Sequence, residues 1–504
     1  MKKRKPSVKH PSTENNLKFN FIWLGQTILK YQVPLDIFNT LNKIYENNFK
    51  NMPDAHKQLV GKIGKENSLF YGGAPTKKMH PHNLLPTKSL LVLPGQHSFV
   101  ERLTKRLSRS KVMPINWDAY IDGFLPEDQF DGTLVGRVWR PDVGGPSVVS
   151  IRESGVIDIT NTVATMSALT NANDPCALAT ADGQNLGDWR RIAENSIASN
   201  QDKTKTWFLS PSDLHAHKAC GVTFVRSLLE RVIDERTAGD PALAEEVRTE
   251  LLNGIGIDLS EIVPGSPQAE MVKSVLIERD MWSQYLEVGI GPYAEVFSKA
   301  QPMSAVGFGA MIGIHPMSHW NNPEPEVVLV GNAEGTIVGA ALGNDVNLRD
   351  VEGRSALLLG RAKDNNGSCA IGPFIRLIDK DFSLHDIRNA YVSLTVEGTD
   401  NFRLEDGSSM TEISRDIQDL MDQTLSANHQ YPDGVVLFTG TMFTPNQDRE
   451  QPGSGFTHHI GDTVVMQSPK LGTLANTVDK TDAIPRWKFG ATSLLQNLAK
   501  RGVL

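Results

Sequence analysis

The chain has 504 residues, room for two or three domains, and its 39% hydrophobic and 22% charged content is that of a globular protein rather than a disordered one. No apolar run is long enough to span a bilayer and no cleavable signal surrounds Phe21-Ile22-Trp23-Leu24, so a cytoplasmic protein without a membrane partner is expected. The net charge of -7 is unevenly spread: residues 1–111 carry 20 Lys+Arg against 6 Asp+Glu, a net of +14, and the other 393 carry 31 against 52, a net of -21.

Residues 1–111 read as a basic N-terminal extension standing outside the enzyme. They open with Lys2-Lys3-Arg4-Lys5 and carry a short helical pattern from Leu35 to Phe49. Basic runs bind phosphate, but aromatic stacking residues are sparse among these charges, so nucleic acid is not an expected partner. The stretch Phe19 to Pro86 resembles the start of phage-type 2-oxoglutarate/iron oxygenases. It has His80 and His82 but not the H-x-D … H iron set, so no chemistry is expected there. A fusion or a misassigned start explains the segment better, with Met113 as the expected original start.

Residues 112–210 read as a small β-rich N-terminal domain, with strands over Leu134 to Trp139, Ser147 to Ile151 and Val156 to Ile159. Asp174 to Leu186 reads as loop and short helix. Residues 211–504 read as the catalytic unit. Helical periodicity over Ser227 to Glu235, Ala242 to Leu252 and within Gln268 to Val288 places a helical insertion, suited to a lid, ahead of the core strands at Phe297. Cys176, Cys220 and Cys369 are odd in number and widely spaced, which suits a reducing compartment and small buried side chains rather than disulfides.

The most informative stretch is Asn322-Pro323-Glu324-Pro325-Glu326-Val327-Val328-Leu329-Val330. Side chains two apart on a strand share a face, so Glu324 and Glu326 point the same way. Prolines hold both extended, and the following run is apolar without alternation, as in a strand buried on both faces. Asn332-Ala333-Glu334-Gly335 reads as a turn and Thr336 to Leu342 as a returning strand, which brings Asp345 back beside the glutamates. Two acids flanking a strand more often face solvent. Acids beside a buried strand, however, need a partner. Three convergent oxygens suit a hard divalent ion, Mg²⁺ before Mn²⁺ or Ca²⁺.

From Phe297 to Val478 the chain resembles the catalytic domain of the fumarylacetoacetate hydrolase superfamily. The resemblance rests on six motifs in order: Phe297-Ser298-Lys299 with Val306-Gly307; Glu324 and Glu326; Asn344-Asp345-Val346-Asn347-Leu348-Arg349-Asp350; Lys363; Thr439-Gly440-Thr441; and Gly472-Thr473-Leu474-Ala475-Asn476. It implies an α+β fold, with a mixed β-roll catalytic domain, and a homodimer. It also implies a metal on Glu324, Glu326 and Asp345 that chelates a small 2-oxo acid through carboxylate and keto oxygen, polarising the carbonyl and acidifying the C3 proton.

Hydrolase-type members of that family carry a G-x-N-Y-x-x-H-x-x-E segment whose His and Glu activate water. Here the comparable stretch is Gly221-Val222-Thr223-Phe224-Val225-Arg226-Ser227-Leu228-Leu229-Glu230, with Ser227 in the histidine's place and Glu230 retained. A serine hydroxyl is no base near neutral pH without a partner. The pattern therefore resembles the dehydratase branch, in which Asp345 lies 19 residues after Glu326 and Lys363 lies 39 after Glu324. Lys363 is expected in the site, either lowered in pKa for acid/base work or charged and steadying an enolate. Thr441 is expected on the substrate carboxylate, with Gly440 permitting close approach. Ser227 faces substrate, and Arg349 either binds substrate or pairs with Asp350. Glu352 replaces the family's glutamine, and Lys299 is a weaker candidate.

The expected activity is dehydration of a 2-keto-3-deoxy sugar acid such as 2-keto-3-deoxy-arabinonate, with Glu230 or Lys363 removing the C3 proton. The alternatives are hydrolysis of an acylpyruvate or other diketo acid, with Glu230 and His429 replacing the lost dyad, and a metal-binding protein without turnover. His215, His217, His458 and His459 have no acid pattern around them and are not expected to be ligands.

Overall fold

The computed structural model describes residues 115–237, 243–244, 246–247, 262–445, 447–449 and 455–504. The basic segment 1–111 and most of the helix expected over Ala242 to Leu252 lie outside the described residues.

Two mixed sheets carry the fold. The large sheet contains β1 (Leu134–Arg140), β2 (Gly145–Arg152), β3 (Gly155–Asp158), β4 (Gln184–Asn185), β5 (Trp207–Leu209), β6 (Ala216–Gly221) and β7 (Glu295–Ala300). After β8 (Met311–Ile314) it adds β9 (Pro325–Gly331), β10 (Ile337–Asp345) and β11 (Cys369–Leu377), and later β14 (Val435–Phe438), which follows β12 (Tyr391–Glu397) and β13 (Arg403–Ser409). Its order is β4-β3-β2-β1-β11-β10-β9-β14-β6-β7, with β5 on β1. The second sheet, completed by β15 (Thr463–Ser468) and β16 (Gly472–Lys480), runs β13-β12-β15-β16-β8. Pairing is antiparallel except for β14 with β6 and β16 with β8.

The three strands expected near the N-terminus form where read, but they extend the large sheet: β1 pairs antiparallel with β11, Leu134 opposite Arg376 and Val135 opposite Ile375. The apolar side chains of β1 are then buried by the same cores as the central strands.

β9 shows why its sequence does not alternate. Val327 and Leu329 enter the core shared with β12, β15 and β16, while Val328 and Val330 enter a second core on the opposite face. All seven residues of β9 are buried. A strand covered on both sides has no solvent face to mark with polar residues.

Between β6 and β7 the chain leaves the sheet for helices α1 (Val225–Arg236), α2 (Pro267–Glu278) and α3 (Gln284–Ile290). They close on their own core of Leu228, Val232, Ile233, Leu276, Leu286 and Ile290, with Val222 and Trp320 from the sheet side. Short helices α4 (Arg349–Glu352) and α5 (Leu359–Lys363) follow β10. α4 packs against α1, which sets the helical insertion beside the end of β10.

Candidate active site

The hairpin of β9 and β10 builds the centre. Gly335, at φ 80°, closes its turn with a bond from its N–H to Asn332 O. The return places Gly343 opposite Glu326, and the Asp345 N–H donates to Glu324 O at 3.1 Å. Glu324, Glu326 and Asp345 are 2%, 1% and 1% exposed, and one carboxylate oxygen from each lies within 4.8 Å of the others. The sequence spacing therefore predicts this juxtaposition correctly. Glu326 Oε1 is buried without a hydrogen-bond partner. An acceptor-only set with one orphaned oxygen fits a hard divalent cation.

Three cations surround the trio. Lys363 Nζ lies 2.5 Å from Glu324 Oε2 and 3.1 Å from Asp345 Oδ2. Lys299 Nζ lies 2.9 Å from Asp345 Oδ1 and also donates to the Lys363 carbonyl. Arg231, on α1, pairs with Glu324 Oε1 and, at 3.1 Å, with Glu352 Oε2.

Burial works against the charge of Lys363, but Asp345, Glu324 and Glu352 more than offset it and hold its pKa above the usual lysine range. Of the two expectations for Lys363, the charged group is the one this arrangement favours. Burial, then Asp345 and Glu324, push Glu326 well up. Asp345 is pushed up by burial and pulled lower overall by Lys299 and Lys363.

The T-G-T turn serves the trio through its backbone. The Gly440 N–H donates to Glu326 Oε2 at 2.7 Å. Gly440 has φ 100°, and a Cβ there would collide with Thr223 Oγ1, itself bonded at 2.6 Å to Thr439 O. Thr441 is buried and its hydroxyl donates to Phe443 O at 2.8 Å. The glycine thus orients a carboxylate, and the threonine hydroxyl is engaged within its own loop.

The residues expected from α1 divide. Glu230 Oε2 pairs with Arg349 Nη2 at 3.0 Å, and the Arg349 guanidinium lies 4.1 Å from the centroid of Trp320. Arg349 does not pair with Asp350, whose carboxylate accepts from Ser318 Oγ at 2.7 Å and from the His319 N–H at 2.9 Å. Glu230 thus serves as the carboxylate that fixes the Arg349 guanidinium. Ser227 is 1% exposed and its hydroxyl donates to Phe224 O at 2.8 Å, within the first turn of α1.

Two side chains that the sequence does not single out belong here. Arg231 follows Ser227 by four residues and so shares its helix face, a signal the sequence does contain. Glu295 comes in only through pairing: β7 sets it opposite Gly221, whose missing side chain leaves room for the Glu295 carboxylate. Burial, then the charge of Glu352, raise Glu295 to about 7.

The histidines serve structure. His215 Nε2 and Thr170 Oγ1 lie 2.9 Å apart, His217 is held by Ser212 Oγ and Gln301 O, and His458 is buried beside Asp462. His429 is exposed in a turn and stacked on Tyr431, so it cannot supply the missing dyad. Cys220 and Cys369 are buried and Cys176 half-buried, none of them bonded to another.

Residues 319–479 match the model of the fumarylacetoacetate (FAA) hydrolase C-terminal domain. This segment belongs to that family. The FAA hydrolase segment contains the acid trio, Lys363 and the T-G-T turn, while Glu230, Arg231, Glu295 and Lys299 lie before it.

The chain is 28% identical over 289 residues to a probable 2-keto-3-deoxyxylonate dehydratase of Haloferax volcanii, a match over 56% of this chain and 96% of that one. It is 31% identical over 189 residues to 2-dehydro-3-deoxy-D-arabinonate dehydratase of Saccharolobus solfataricus, over 37% of this chain and 59% of that one. A solved 2-keto-3-deoxy-D-arabinonate dehydratase, complexed with magnesium and 2,5-dioxopentanoate, aligns with a TM-score of 0.47 at 19% identity, over 69% of this chain and 99% of that one.

Proposed function

We propose that this chain is a divalent-metal-dependent lyase that dehydrates a 2-keto-3-deoxy sugar acid. The observation that carries the reading is the buried trio of Glu324, Glu326 and Asp345 with Lys363 bridging two of its members. The match to a probable 2-keto-3-deoxyxylonate dehydratase along 96% of that relative supports dehydration as the reaction. Glu324, Glu326 and Asp345 would hold Mg²⁺, with Mn²⁺ or Ca²⁺ as substitutes. When bound, the ion would supply chelation of the substrate carboxylate and keto oxygen and polarise the carbonyl.

The chain's own residues then divide the work. Lys363, kept cationic, steadies negative charge as it develops on the keto oxygen. Lys299 fixes Asp345 and the Lys363 backbone together. Glu295 removes the C3 proton, since a carboxylate raised to about 7 by burial can accept and return a proton near neutral pH. The same proton returns to the departing C4 hydroxyl, so water leaves and Glu295 is restored. The 5-hydroxy-2-oxo-3-enoate so formed becomes 2,5-dioxopentanoate when a proton moves from C5 to C3 and the resulting enol tautomerises. Glu230 and Arg349 brace this arrangement as a pair.

Hydrolysis of a diketo acid is disfavoured by Ser227, whose hydroxyl is turned onto its own helix where an imidazole would be needed. The deciding test incubates purified protein and Mg²⁺ with 2-keto-3-deoxy-pentonates and, separately, with acylpyruvates. Formation of 2,5-dioxopentanoate is expected. Pyruvate and a carboxylic acid from the acylpyruvate, with the sugar acids untouched, would overturn the reading.

A further inference from the structure

Glu352 has no place in the chemistry above, yet it is an ionised carboxylate buried at the site. It is 5% exposed and paired with Arg231. Burial pushes its pKa up, and Arg231 and Lys363 more than offset this. It is also the largest charge acting on Glu295. Beside it lies the fully buried amide of Asn347, within reach of the Glu352 carboxylate. The indole Nε1 of Trp320 is buried and without a hydrogen-bond partner.

Among the described residues, the cations around this region are committed. Arg231 serves Glu324 and Glu352, Lys299 and Lys363 serve the trio, and Arg349 serves Glu230. A second carboxylate on a substrate would therefore meet Glu352 and Glu295 with no guanidinium or ammonium assigned to it. Hydroxyl groups meet no such barrier, because they can donate to Glu352 and exchange hydrogen bonds with Asn347 and the Trp320 indole.

We infer that Glu352 is a specificity residue that acts as a charge filter, admitting 2-oxo acids with a neutral, hydroxyl-bearing tail and rejecting those with a second carboxylate. The inference rests on the proposed chelation of a 2-oxo acid and adds what lies beyond the chelating end. Arg231 is the positioning residue that keeps the Glu352 carboxylate in place.

The test is calorimetric binding to the full chain loaded with Mn²⁺, using three probes: 2-oxopentanoate, 2-oxoglutarate and the 5-methyl ester of 2-oxoglutarate. The ester has nearly the shape of 2-oxoglutarate without its second charge. The wild-type protein should bind 2-oxopentanoate and the ester, and 2-oxoglutarate more weakly by about tenfold or more, the scale of a like-charge juxtaposition. Glu352→Gln should close most of that gap, and Glu352→Asp should keep it.

Equal binding of the ester and 2-oxoglutarate by wild type overturns the filter, and needs no variant to fold. So does an unchanged gap in Glu352→Gln, or the same loss of the gap in Glu352→Asp, which would make shape rather than charge the cause. Absence of binding by all three probes would instead sink the chelation reading, and the filter with it.

Discussion

The Gly440 N–H donates to Glu326 Oε2 at 2.7 Å, joining a loop after β14 to a carboxylate on β9. A motif 114 residues from its partner in sequence thus acts on the proposed metal ligand itself, through backbone rather than side chain. Gly440→Ala places a side chain at φ 100° and drives it into Thr223. A loss of stability of about 1–3 kcal/mol is expected from the backbone alone. Calorimetry with Mn²⁺ should also show weakened ion binding, whereas Thr441→Ser, which keeps the bond to Phe443 O, should bind the ion as wild type does.

Lys363→Met removes the cation shared by Glu324 and Asp345. Turnover should fall by about 10²–10³-fold, as when one preorganised electrostatic contact to a developing oxyanion is deleted. Divalent-ion affinity should rise, because the lysine and the ion compete for the same carboxylates. A fall in both would mean that Lys363 organises the trio rather than acting on substrate.

Glu295 predicts the pH dependence. With its pKa raised to about 7, the proposed base is ready only as pH rises through that value, so the rate should climb on an acid limb near neutrality. A bound divalent ion would move this limb lower. The same shift has a stability sign. Between the ordinary carboxylate range and about 7 the folded chain holds a proton that the unfolded chain has lost, so stability falls as pH rises across that window. Glu295→Gln should lose most of the rate and flatten this part of the stability profile. Rate profiles and denaturant midpoints measured from pH 5 to 8 check both.

The trio was legible because its causes are local: strand periodicity, two prolines and a turn with a return strand. The burial of β9 on both faces could also be read from its unbroken apolar run. The reach of the large sheet could not, since pairing of β1 with β11 depends on which edges meet, and neither strand's composition encodes its partner. Glu295 was invisible for the same reason: only the β6–β7 register brings it in. Glu230 and Ser227 were found by motif position, but their roles depend on what Arg349 and the Phe224 carbonyl do, and spacing cannot report that.

Ser227→Ala separates position from role. The hydroxyl bonds its own helix backbone, so its loss should cost about 1 kcal/mol of stability or less. Turnover should stay within about threefold of wild type, a change of under 1 kcal/mol in barrier. A large fall in kcat with unchanged melting temperature would restore Ser227 to the substrate.

The acid limit of the fold should be set partly by a carboxylate outside the trio, Asp462. Its side chain is fully buried and Arg449 holds it from one side through Nη2 at 2.7 Å, while the His459 N–H donates to it at 2.8 Å. Burial raises its pKa, but the Arg449 and His458 contacts pull it down to about 2. A carboxylate lowered on folding stabilises the native state above its unfolded pKa and loses that contribution as pH falls toward the folded value. The contribution, about 2 kcal/mol, is present at neutral pH and disappears between roughly pH 4 and pH 2. Asp462→Asn should lower the melting temperature at pH 7 and remove part of the acid transition. Parallel melting curves for the two proteins from pH 7 down to pH 3 would rule this out if their separation did not shrink with acidification.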